Sequence, residues 1–171
     1  MSVDGSTAMP GGPLDRWVGL IGRISSAISA TLLLGMFALI NVEVATRYIL
    51  RSSTLLADEY AGYMFAALVF LGMNQAIHSE KLITIDLTGR WGSLMNGSVM
   101  RFIKALLLLG LNLMLLYAAT LTLMMSIRFQ SRSIQYSKTI LAYPQSIVVA
   151  GLVLASIAAF ALLLRARRPR A

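Results

Sequence analysis

The chain has 171 residues, 57% hydrophobic and only 13% charged, and a mean hydropathy of +0.74; soluble domains carry about 25% charged residues, so a water-soluble globular fold is excluded. With no cysteine and a single histidine, His78, the sequence also excludes disulfides, thiolate or multi-histidine metal sites and bis-histidine haem ligation within the chain. The net charge of +8 comes from basic residues at the ends of apolar runs, where a bilayer explains them, and they form no continuous basic face for nucleic acid.

Residues 1–15 contain Gly5, Pro10, Gly11, Gly12 and Pro13 without apolar periodicity and read as a flexible, solvated tail. The apolar run that follows is too long for a secretory h-region, and cleavage after Ala45 would place Glu43 where a small residue is needed, so the run is expected to stay as a helix. A helix crossing the hydrocarbon core needs about 20 apolar residues. Span one covers 24–48, with Trp17 and Arg23 before it and Arg51 after it. Ser52, Ser53 and Thr54 in the next connection are available as caps. Span two covers 56–77, and Asp58 and Glu59 lie in its first turn, where the helix dipole favours negative charge. The longest connection, 79–97, mixes Ile83, Ile85, Leu87 and Trp91 with Lys81, Asp86 and Arg90, the composition of a segment lying on a membrane surface. Span three covers 99–127, with Arg101 and Lys104 able to snorkel at its start. A polar loop, 128–139, leads to span four, 143–164, which tolerates Pro144 in its first turn. Residues 165–171 form a basic tail.

These elements predict an all-α, integral membrane, four-helix protein with one transmembrane domain, 16–164. One side carries ten Lys and Arg residues and the other, comprising Arg47, Arg51, Arg128, Arg132 and Lys138, carries five. The positive-inside rule then puts both termini in the cytoplasm (N-in/C-in) of a multi-pass protein.

Within the spans, few residues are candidates for chemistry. Glu43 follows Asn41 and precedes Arg47 by one turn; a carboxylate in a span is costly and often functional, but its late position favours an i,i+4 pair with Arg47 over proton or cation relay. Asn74 and His78 share a face with Leu71, Ala67, Met64 and Tyr60, a spacing that reads as a helix-packing seam. Asn112 reads as interhelical glue, and Arg47 and Glu59 flank the same turn, either as an ion pair closing it or as a polar surface for a partner. The ten methionines are scattered, as in adaptable packing. There is no Gly-rich phosphate loop and no possible Ser/His/Asp set, so neither an enzyme nor a cofactor site is expected. A complete secondary transporter needs a polar midplane site at broken helices, whereas here mid-span positions are almost all apolar. A helper that docks on another membrane subunit follows more naturally.

Several stretches resemble a known family, the DctQ-type small membrane subunit of tripartite ATP-independent periplasmic (TRAP) transporters. Arg47-Tyr48 closes span one, Asp58-Glu59-Tyr60 resembles the family's acidic pair followed by an aromatic, and Val69-Phe70-Leu71-Gly72 its apolar-Phe-Leu-Gly run. Ile83-Thr84-Ile85-Asp86-Leu87 is similar to its Ile-x-Val-Asp-Leu stretch, and Pro144 opens the last span as a family proline does. Together these cover about residues 32–160. The chain departs from the family at Leu82, where a histidine is common, and near Gly151, where a second proline is common. The resemblance implies a small permease in a bacterial inner membrane, within a sodium-coupled importer of a small organic solute such as an organic acid. It implies a scaffold for a large multi-span permease subunit, with a periplasmic solute-binding protein docking partly on the external turns. Arg47 and Glu59 would lie on that docking side and Asp86 at the cytoplasmic surface, and Gly72 would permit close helix approach. The competing reading is a dimeric proton-coupled multidrug exporter using Glu43, which calls for a mid-span carboxylate and short loops; a respiratory membrane anchor calls for more histidine.

Overall fold

A computed structural model describes residues 13–53, 55–78 and 97–166, with side chains over 17–53, 55–77 and 100–166. It contains four helices: α1 (Pro13–Ile49), α2 (Ala57–His78), α3 (Gly97–Arg128) and α4 (Ala142–Ala166). Each is long and apolar enough to cross a membrane. Because hydrocarbon offers no hydrogen-bond partner, a helix that satisfies its own backbone is the natural form for such runs.

The helices overrun the expected boundaries, α1 most of all. It begins at Pro13, inside the stretch expected to be a tail, and no second proline stands between there and Ile49. Proline fits a first helical position, where its missing N–H is not needed and its φ is already helical. Arg165, expected in the basic tail, lies in the last turn of α4, and Arg128 in the last turn of α3. Cations at C-terminal turns are favoured by the helix dipole. Asp86 and the rest of the 79–96 connection lie outside the described residues, as does the tail beyond Ala166.

Packing follows the spatial order α1, α2, α4, α3, a row in which each helix rests on the next. α1 touches α4 only slightly, and among the described residues α3 touches neither α1 nor α2. Lipid tails are as apolar as leucine, so helices in a membrane associate through close packing of small residues and through hydrogen bonds. Both devices set the register here. Between the antiparallel α1 and α2, Asn74 Nδ2 donates to Ser25 Oγ at 3.3 Å, and a Cβ on Gly72 would meet Ser29 Oγ at 3.4 Å. α2 and α4 run parallel, and Gly151 lies against the backbone of Phe70 so closely that a Cβ would come within 2.8 Å of its carbonyl carbon. Between α4 and α3, Asn112 Nδ2 donates to Leu152 O at 3.2 Å and to Ser156 Oγ at 2.6 Å. Val18, Ile77, Ala155, Ala158, Ala159 and Ala161 form the buried cluster where α1, α2 and α4 meet. The start of α1 and the second half of α4 therefore lie at the same end of the row, opposite the α1–α2 and α3–α4 connections.

Candidate functional site

Glu43, Arg47 and Glu59 anchor two hydrogen-bonded clamps at the connection end. The first closes the α1–α2 turn. Glu43, with its side chain 8% exposed, accepts from Arg47 Nη2 at 3.2 Å and from Ser53 Oγ at 2.5 Å. Ser53 Oγ in turn accepts from Arg47 Nη2 at 3.3 Å and from the Leu55 N–H at 3.2 Å. The turn needs this help because Arg51 (φ 48°) and Leu55 (φ 55°) both adopt left-handed backbone without being glycine. Gly35 lies beside Met64 of α2, and counting up from there brings Glu43 level with the first turn of α2. The remaining six residues of α1 stand about 9 Å beyond it at 1.5 Å per residue. They carry Tyr48, 87% exposed, and Ile49 to the tip.

The second clamp ties the α3–α4 loop to α2. Glu59, buried at the start of α2, accepts from Tyr63 OH at 2.6 Å through Oε1 and from Ser137 Oγ at 2.5 Å through Oε2. Since the one hydroxyl proton of Ser137 is committed to the carboxylate, the 2.7 Å contact between Ser137 and Thr139 must run from Thr139 Oγ1 to Ser137 Oγ. By the same logic Tyr60 OH donates to Thr139 Oγ1 across 3.3 Å. Tyr60, Thr139 and Ser137 thus form a relay of donors ending on a carboxylate that accepts on both oxygens. Charge-assisted bonds of this kind are stronger than neutral ones. Tyr60 and Tyr63 meet edge to face, ring centroids 6.1 Å apart. The loop is further shaped by an antiparallel bridge between Arg132 and Ile140, with Ser133 N–H donating to Thr139 O at 2.8 Å.

Of the two readings of Arg47 and Glu59, the ion pair across the turn does not form. The guanidinium goes to Glu43 and Ser53, which are nearer along the chain, and the Glu59 carboxylate is taken by hydroxyls from α2 and the α3–α4 loop. Asp58 is exposed, and Pro144 is half-buried in the first turn of α4. Gly72 and Asn74 are not at this end at all; they belong to the α1–α2 packing seam, with Ala67 buried on the same face. The side chain of His78 lies outside the described residues. Sequence reasoning named Ser53 only as a helix cap and missed Ser137, and so did not find the hydroxyls that complete the clamps. Serine in a connection carries no signal of which carboxylate it will meet.

The clamps hold loops, and Glu43 stands toward a helix end beside a cation, not mid-span. The family model described as "Tripartite ATP-independent periplasmic transporters, DctQ component" matches residues 36–168. The chain belongs to the DctQ component family. It is accordingly a small membrane subunit of a TRAP transporter, a transport component and not an enzyme. The family match leaves the exporter reading of Glu43 without support. No curated protein and no solved structure gives a significant match. The family normally works with a large permease and a periplasmic binding protein, and four span-capable helices make this DctQ component multi-pass.

Proposed function

We propose that this DctQ component is the fixed scaffold of a sodium-coupled importer for a small organic acid in a bacterial inner membrane, with both termini cytoplasmic. The observation that carries this reading is the destination of the polar groups inside the spans. Ser25, Asn74, Asn112 and Ser156 are spent on holding the chain's own helices together. A row of four helices also offers wide apolar flanks that a compact bundle would hide, as a subunit built to be covered by a larger membrane protein requires. The sodium and solute sites then belong to the large permease. The connection end, with exposed Arg47, Tyr48 and Asp58 and with buried Glu59 holding the loop behind them, is the outer surface against which the periplasmic binding protein settles. Two clamps that fix the shape of otherwise free loops support that assignment, since a docking surface binds more tightly when it is ordered beforehand.

The test is reconstitution of the three components in proteoliposomes under an inward sodium gradient. Uptake is expected with all three present, and none with this chain alone or with this chain omitted. Transport by the isolated chain, or undiminished uptake by the large permease without it, would overturn the proposal.

A further inference from the structure

The exposed side of α3 carries a polar group that finds no hydrogen bond among the described residues and that lipid tails cannot satisfy. Tyr117 is 68% exposed and lies thirteen residues from Lys104 and eleven from Arg128, the nearest charged positions on its helix. Those separations are about 20 Å and 16 Å along the axis, so the phenol sits near the middle of the span, over two turns from either interface. Tyrosines normally occupy the interfaces, where the hydroxyl reaches water, as Tyr48 and Tyr143 do at the ends of their helices. Exposed threonines here bond back to the carbonyl one turn below, Thr122 to Ala118 O at 2.9 Å for example. A phenol cannot fold back in that way, and among the described residues Tyr117 OH has no hydrogen bond. Leaving a hydroxyl unpaired in hydrocarbon is strongly unfavourable.

The surroundings of Tyr117 have the form of a helix-packing seam. Gly110, Met114, Tyr117, Leu121 and Met124 follow one another at spacings of four, three, four and three, the pattern of knobs and holes between helices. This seam faces away from α4, which holds Ala105, Asn112 and Ser126 on the buried side. Gly110 has open space where a Cβ would be, a notch that lets a second backbone come close. Met114, 72% exposed, and Met124 are side chains that adapt to an irregular partner.

We infer that the outer face of α3, along Gly110, Met114, Tyr117, Leu121 and Met124, is where a transmembrane helix of the large permease subunit docks, and that this helix presents a hydrogen-bond acceptor to Tyr117 OH at mid-depth. The inference rests on the scaffold reading and adds the face and the contact. A partner helix is the occupant the chemistry selects, because lipid tails offer no acceptor at that depth and headgroups do not reach it. The large subunit is chosen over a second copy because it is the membrane-embedded partner with which this family works.

Photo-crosslinking on the intact complex tests it. A photoreactive phenylalanine analogue is placed at position 114 or 117 and, as a control on the far edge of the row, at Leu34 of α1. Illumination in native membranes is expected to capture the large subunit from 114 and 117 and not from 34. Capture of only a second copy of this chain, or of the large subunit from 34 alone, overturns the inference. Tyr117→Phe, which removes only the hydroxyl, is expected to weaken association with the large subunit about three- to fifteen-fold, with the isolated chain unchanged on size exclusion. Gly110→Leu is expected to abolish co-purification, and wild-type association by either variant counts against the seam. If the unmodified chain fails to co-purify with any large subunit, the scaffold reading has failed. If it co-purifies but crosslinks through α1, only the α3 assignment has.

Discussion

Gly151→Ala isolates the tightest backbone contact in the row. A Cβ there would stand 2.8 Å from Phe70 C, 2.9 Å from Phe70 O and 3.0 Å from Phe70 Cβ, where ordinary contacts begin at 3.4 Å. The overlap is thus about 0.6 Å, and it is with main-chain atoms of α2, which cannot rotate aside. α2 and α4 must separate by about that much along their shared face, weakening packing that is the chief attraction between helices in lipid. Overpacking by a single methyl costs about 1–3 kcal/mol. Alanine's better helix propensity offsets up to about 1 kcal/mol of that, leaving a net loss of about 0–2 kcal/mol against wild type and the full clash of about 1–3 kcal/mol against a glycine-to-alanine control that has no clash. The matched control is Gly62→Ala on α2, where a Cβ meets nothing within 4 Å; it keeps the propensity gain without the clash and is expected to be neutral or stabilising. Both are measured by titrating the purified protein in mixed micelles with a denaturing detergent and following helicity. If Gly151→Ala is as stable as Gly62→Ala, the close α2–α4 approach is wrong and so is the row order that depends on it.

Three other outcomes follow from the same contacts. Asn112→Leu removes both side-chain bonds from α3 to α4, at 3.2 and 2.6 Å, and is expected to cost about 1 kcal/mol in the same titration; a stabilised variant would contradict the interhelical role. Glu59→Ala frees Ser137 and Tyr63, so backbone amides of 131–140, Ser133 N–H above all, should exchange with solvent faster, while those of α3 stay protected. Unchanged exchange in the loop would mean that the bridge between Arg132 and Ile140 holds it without the carboxylate. Glu43→Gln should leave uptake by the reconstituted complex within about fivefold, because a partly exposed ion pair contributes at most about 1 kcal/mol; loss of transport with normal assembly would return Glu43 to a coupling role.

The number and type of the helices were legible in the sequence, because a bilayer demands runs of a set length that close all their own backbone hydrogen bonds, whereas α1 starts well before the expected limit. Single-helix pairings were legible too: Glu43 with Arg47 is one turn of one helix, fixed by its 3.6-residue period. The capacity of Asn74 and Asn112 to join helices could be read, since an amide in hydrocarbon must find a partner, but which serine or carbonyl each would meet could not. What only the tertiary structure decided is whatever depends on how one helix slides past another. It put α4 between α2 and α3, brought Ser137 to Glu59 from 78 residues away, and turned Tyr117 outward at mid-depth. No local periodicity encodes those outcomes, because interhelical register is set by close approaches such as Gly151 on Phe70, between residues far apart in the chain.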